Sequence, residues 1–152
     1  MNPPLLDRAA IVELMPYGPD FLWVDEVLEQ DGDRRIVTNK HYLANASIVR
    51  DHTPAGVTLV PGVILIEQAA QSALLLGLRS GHVASGKAAF LGRVKADFLA
   101  PVVCPAKVEV DLVVSVLRAE AIGFAAKLKS DLQLCAHIAG VCVLVDAPAP
   151  SI

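Results

Sequence analysis

Cysteine is scarce: Cys104, Cys135 and Cys142 are an odd set of three, with no C-x-x-C spacing among them. That excludes a disulfide framework and the usual zinc-site patterns, and leaves three reduced packing residues. An excess of basic charge is also lacking, with 13 Lys and Arg against 16 Asp and Glu and a net charge of −3. A chain that binds nucleic acid needs clustered cations to neutralise phosphates, and none cluster here. The N-terminus carries Asp7, Arg8 and Glu13 where a secretory signal would place a basic segment and an apolar core, so a cytoplasmic location is expected. The most apolar stretch, Val57 to Leu78, is interrupted by Pro61-Gly62 and holds Glu67, Gln68 and Gln71, which fits a buried helix and not a membrane span. No ligand cluster and no phosphate-binding glycine motif appear, so neither a metal nor an organic cofactor is expected.

What the sequence does contain is apolar surface to bury. Its 152 residues are 54% hydrophobic and 19% charged, enough for one domain over residues 1–152 with a large core, part of it covered by another subunit. The ends, 1–8 and 147–152, are expected to be flexible. Asp7 stands as an N-cap before a short helix at Ala9 to Met15, which Pro16 and Tyr17-Gly18-Pro19 end. Phe21 to Glu29 and Arg35 to Leu43 read as a hairpin turned at Gln30 to Asp33. Ala44 to Thr58 has no sustained period and reads as a long loop, the kind that tends to carry function. Pro61 then opens a helix that runs from Gly62 to Arg79 and ends at Ser80-Gly81, ~27 Å at ~1.5 Å per residue. Four strand-like segments follow: Lys87 to Phe98, Ala106 to Leu117, Ile122 to Lys129 and Leu134 to Asp146. A helix apolar on nearly every face must be wrapped. An antiparallel sheet curling around one long central helix, the α+β arrangement called the hot-dog fold, satisfies that order of elements.

Three positions suggest chemistry. Glu67 is one carboxylate in an otherwise apolar helix, and burying it unpaired costs several kcal/mol unless it finds donors or takes up a proton. Either outcome suits a general acid; the alternative is a solvated Glu, or one paired with Arg50, Arg79 or Arg93. His52 lies on the irregular loop before the helix and is a natural base near neutral pH, although a surface imidazole is the plainer reading. Asp51 beside it is an orienting partner or a solvated loop charge. The first N–H groups of the helix at Pro61-Gly62 have no internal partners and lie at the positive end of its dipole, which suits an oxyanion. Glycine at 62 leaves room for a carbonyl to approach.

These residues fall inside three strings: L-M-P-Y-G-P-D-F-L-W-V-D-E-V-L-E from Leu14, N-A-S-I-V-R-D-H-T-P from Asn45, and V-P-G-V-I-L-I-E-Q-A-A-Q from Val60. In residue types and order they resemble the β-hydroxyacyl-ACP dehydratase family of fatty-acid synthesis. That family shows L-P-H-x-x-P-F-L-x-V-D-x-V, N-E-P-F-F-x-G-H-F-P-G and M-P-G-V-L-x-x-E-A-x-A-Q. The likeness continues at Phe90-Leu91-Gly92 and from Lys95 to Val102. The resemblance implies that His52 and Glu67 are the catalytic pair, that the Gly62 N–H holds the thioester carbonyl, and that Gln71, Leu59, Val63, Phe90 and Gly92 line the substrate pocket. It also implies a homodimer or an oligomer of dimers, a heterodimer being a further form, with His52 from one subunit meeting Glu67 of the other. The chain departs from the pattern at Tyr17, where the family has histidine, at Asp51 and Thr53 around His52, and in a loop one residue longer over residues 55–59.

The activity implied is dehydration of a 3-hydroxyacyl thioester to a trans-2-enoyl thioester, for fatty-acid or polyketide synthesis. His52 would take the α-proton, and a desolvated, protonated Glu67 would give a proton to the departing hydroxyl. A carrier protein bearing the acyl group is acidic, and Arg34, Arg35, Arg93, Lys95, Lys127 and Lys129 are candidates to meet it. Two rivals share the fold: an acyl-thioesterase, and a non-catalytic subunit of a heterodimeric dehydratase. His41, His82 and His137 stand at no ligand spacing and are assigned no role.

Overall fold

The computed structural model describes residues 2–54 and 56–147. In chain order the elements are α1 (Arg8–Leu14), a 3-10 turn (Pro19–Phe21), β1 (Glu26–Asp31), β2 (Arg35–Tyr42), α2 (Ser47–Arg50), α3 (Gly62–Arg79), β3 (Lys87–Phe98), β4 (Ala106–Leu117), β5 (Ala121–Ser130) and β6 (Gln133–Asp146). The strands form one antiparallel sheet in the order β1-β2-β4-β5-β6-β3. Alternation along β4 turns Val108, Val110 and Leu112 inward, and Leu128 of β5 and Ile138 of β6 join them against α3.

From Gln68 to Gly77, α3 is buried without interruption. Its polar side chains there are each tied to a wall. Gln68 accepts from the Tyr42 hydroxyl (2.8 Å) and donates to the Val108 carbonyl (3.0 Å), and the Ser72 and Thr38 hydroxyls share a 2.8 Å hydrogen bond. Left unpaired, each such group would cost ~1–3 kcal/mol. The far end of the helix is also tightly packed. A Cβ on Gly77 would lie 2.7 Å from Val83 and 2.9 Å from Ile122, so only glycine fits.

Four expectations need correction. The segment 22–24 is extended but unladdered, because side chains take up its backbone: Arg8 donates to the Leu22 and Val24 carbonyls, and Trp23 N–H donates to Gln71, so pairing with β2 begins only at Asp25, whose N–H donates to the Asn39 carbonyl (2.8 Å). The strand therefore starts at Glu26. The loop after β2 contains α2, a single turn too short to show a period, pinned by the buried Val49. The N-terminal segment expected to be loose is anchored, since Leu5 N–H donates to the Val27 carbonyl (2.7 Å) and Val27 N–H to the Leu6 carbonyl (3.0 Å). The wrapping of α3 is incomplete: Val63 is 69% exposed, and Gly62, Ile66 and Glu67 are partly so. The expected flexible tail lies, after Ala147, outside the described residues.

The two sheet edges differ. β1 is partly covered by Leu5 and Leu6. β3 ends the sheet bare, with Phe90, Leu91, Val94 and Phe98 exposed along it.

Candidate active site

Glu67 sits in the second turn of α3, at the open flank. Gln71, one turn on, donates from Nε2 to Glu67 Oε1 (3.0 Å) and to the Phe21 carbonyl (2.8 Å), while its Oε1 accepts from Trp23 N–H (2.8 Å). An N–H donor can only be met by the amide oxygen, so Trp23 fixes which way the Gln71 amide faces. Glu67 Oε1 is thereby the accepting oxygen, and Oε2 has no hydrogen-bond partner among the described residues. Gln71 was expected to line the pocket; it is 1% exposed, with its amide engaged by Trp23, Phe21 and Glu67.

The cations considered as partners for Glu67 are elsewhere. Arg50 pairs with Asp51, Arg79 donates to Gln30, and among the described residues Glu67 makes no salt bridge. Around it a cavity of about 20 Å3 is lined by Tyr17, Ala70, Ala89, Phe90, Leu91 and Cys142. Burial, and then the neighbouring Glu67 charge, push the Tyr17 phenol up to about 12 and the Cys142 thiol up to about 12. Sequence reasoning noted Tyr17 only as a departure from a pattern. Its place beside a carboxylate fifty positions away is a product of the fold.

His52 follows the C-cap of α2, exposed, with its N–H donating to the Val49 carbonyl (3.3 Å). It lines a cleft with Ser47, Ile48, Asp51, Pro61 and Val63. Asp51 does not orient it: its carboxylate takes both the Nε and the Nη2 donors of Arg50, which holds the Asp51 carboxyl below its ordinary range. Among the described residues nothing hydrogen-bonds the imidazole. Beyond the loop, Cys104 N–H donates to the Thr58 carbonyl (2.9 Å) and Val60 N–H to the Val102 carbonyl (3.0 Å). This short ladder fixes the chain just ahead of Pro61-Gly62.

At the head of α3 the N–H groups of Gly62 and Val63 have no hydrogen-bond partner among the described residues. A Cβ on Gly62 would come within 2.8 Å of the Phe98 ring, so packing as well as access requires glycine there. The groove over Gly62 is lined by Val60, Val63, Ile66, Phe98 and Leu99, and Val63 joins it to the His52 cleft. His52 and Gly62 thus open onto adjoining space, whereas Glu67 faces a separate cavity of the same chain. Of the other residues expected in a pocket, Phe90 borders the Glu67 cavity. Leu59 is instead paired with Val103, and Gly92 sits at the bulge of β3, packed against Val143.

Two of the cations expected to meet a carrier are committed: Arg34 to Asp31, and Arg35 to Asp111 and Glu29. Arg93, Lys95, Lys127 and Lys129 form no salt bridge among the described residues. Lys95 and Lys127 line a groove on the sheet that also carries Asp97, Asp111 and His137. Among the described residues no three His, Cys, Asp or Glu side chains come together as metal ligands would, and no helix is long and apolar enough to cross a membrane.

A sheet wrapped on one long helix, with polar groups gathered at the helix head, is the hot-dog architecture. In fold the chain is similar to the dehydratase heterocomplex ApeI:P from Xenorhabdus doucetiae, with a TM-score of 0.77 at 9% identity over 96% of this chain and 93% of that one. It is also similar to a thioesterase from Haemophilus influenzae, with a TM-score of 0.63 at 16% identity over 93% and 92%. No family model matches the chain. Relatives in sequence are more specific. The chain is 35% identical over 114 residues to the 3-hydroxyacyl-ACP dehydratase FabZ of Anaeromyxobacter dehalogenans, covering 73% of this chain and 72% of that protein. It is 34% identical over 114 residues to FabZ of Desulforamulus reducens, covering 75% and 80%. The chain belongs to the 3-hydroxyacyl-ACP dehydratase family, as a divergent member.

Proposed function

We propose that this protein eliminates water from a 3-hydroxyacyl thioester, with His52 as base and Glu67 of the partner subunit as acid. The observation that carries the reading is the setting of Glu67: a carboxyl in an apolar cavity, held by a neutral amide and not by a cation. A purely structural glutamate gains most from a charged partner, and one that must gain and lose a proton gains more from a neutral anchor.

The thioester carbonyl accepts a hydrogen bond from Gly62 N–H, which stabilises charge as the α-proton leaves; one such donor is worth ~100- to 1000-fold in rate. His52 takes the proton. Glu67 passes its own proton from Oε2 to the β-oxygen, the Cβ–O bond breaks, and the enoyl thioester and water remain. Proton return from His52 to Glu67 resets the pair.

The separation of the two clefts within one chain supports a dimer. β3 has a free edge and exposed apolar residues, and two copies joined there would bury Phe90, Val94 and Phe98 while bringing one chain's His52 region toward the other's Glu67. The carrier protein that delivers the acyl group is acidic, and Arg93 and Lys95 on β3 lie beside that edge with charge to spare. The site of action is the cytoplasm.

The test is to incubate the purified protein with short and medium 3-hydroxyacyl thioesters and weigh the products. An enoyl thioester formed by loss of water supports the reading. Free acid and thiol would make it a hydrolase and overturn it, and inertness until a second subunit is added would make it a non-catalytic partner.

A further inference from the structure

The cavity beside Glu67 contains a second polar group that the scheme above does not use. Besides Glu67 its lining residues are Ala70, Ala89, Phe90, Leu91, Cys142 and Tyr17, the one among them whose side chain carries a hydroxyl. Tyr17 lies between Pro16 and Gly18-Pro19, and its ring meets Phe21 edge-on, with centroids 5.7 Å apart and planes at 78°. The Phe21 carbonyl is the same group that accepts from Gln71. One short segment therefore holds both the amide that aims Glu67 and the phenol that shares its cavity. At about 20 Å3 that cavity is the size of a single water molecule.

We infer that the Tyr17 hydroxyl is a second hydrogen-bond donor to the oxygen that leaves the substrate, and that the water-sized cavity it shares with Glu67 receives the eliminated water. As the Cβ–O bond breaks, its electron pair goes to oxygen and the proton comes from Glu67. Tyr17 keeps its own proton and contributes only a hydrogen bond. Burial above all, with Glu67 and Cys142 the titratable groups facing it, keeps the phenol protonated through the neutral range, so it is able to donate. The inference rests on the reading of Glu67 as the acid.

Tyr17→Phe removes one oxygen and preserves the contact with Phe21. With 3-hydroxyacyl thioesters, kcat is expected to fall ~10- to 100-fold, below the full range for a principal oxyanion donor, with KM within about twofold and an unchanged thermal midpoint. Tyr17→His, which restores a donor, is expected to recover most of that loss. A Tyr17→Phe enzyme with wild-type kcat overturns the inference, as does a loss confined to KM or accompanied by a lowered midpoint. Glu67→Gln, run alongside, separates the two levels: if it stays active, the acid assignment itself fails, whereas an inactive Glu67→Gln with an unaffected Tyr17→Phe removes only the role of Tyr17. Should Tyr17→Phe not fold, Tyr17→His and Tyr17→Leu carry the same comparison, and equal rates for the two overturn the inference.

Discussion

The first two turns of α3 and the turns that follow are built from nearly the same residue types, yet they live in different surroundings. From Gln68 onward every polar side chain is bound to a wall, and Gly77 is pressed against Val83 and Ile122. From Gly62 to Glu67 two backbone N–H groups are without partners, Val63 is exposed, and the one carboxylate is held only by an amide. The sealed part resembles the interior of any small domain. The open part keeps hydrogen-bonding capacity in reserve, and unsatisfied capacity in a folded protein is where chemistry or a partner is to be sought.

Substitutions should separate the two parts cleanly. The largest effect is expected from Glu67→Gln, which keeps size and the Gln71 contact but removes the proton. Turnover of 3-hydroxyacyl thioesters should fall ~100- to 10,000-fold while the thermal midpoint stays put. Leu75→Ala, in the sealed part, should do the reverse. Leu75 has no exposed surface, and the cavity left should cost ~2–5 kcal/mol in denaturant titrations with KM unchanged in the remaining folded enzyme.

Alkali should act through the groups around Glu67. Cys142 and Tyr17 ordinarily titrate near 9.0 and 10.0, and both are raised to about 12 in the folded chain. The unfolded chain gives up those protons first, so stability should decline as pH climbs through about 9 toward 12 and be at its full value below that window. A midpoint flat across the window would contradict their burial. The smallest effect is expected for Val63→Ala. Stability should move by no more than ~0.5 kcal/mol, as for a surface change, while KM for acyl thioesters rises because the side chain joins the His52 cleft to the Gly62 groove.

Much of the architecture was legible because its signals are local. Pro61-Gly62 and Ser80-Gly81 bracket α3, and long strand-like runs between Gly, Pro, Ser or Asp mark β3 and β4 at the bounds the structure has. The segment 22–24 misled for a reason outside itself, since Arg8 and Gln71 take the backbone groups that a neighbouring strand would otherwise pair. At the site, the i, i+4 relation of Glu67 and Gln71 follows from helix geometry. The nearness of Tyr17 to Glu67, and the commitment of Arg34 and Arg35 to carboxylates, depend on strands and turns brought together from far along the chain. The one hint of Tyr17 was its replacement of a histidine in an otherwise matching string.

The unequal edges of the sheet also limit how copies of this chain can accumulate. At β1 both backbone groups of Val27 are already taken by Leu5 and Leu6, and the strand is short and interrupted by a bulge, so it offers a poor template. Growth by strand addition has one good starting line, along β3, and a symmetric pairing uses it up on both partners at once. A pairing of two copies along that line would be self-terminating: it would close the pair and occupy the β3 edge of both, so that a fibre could not extend from there.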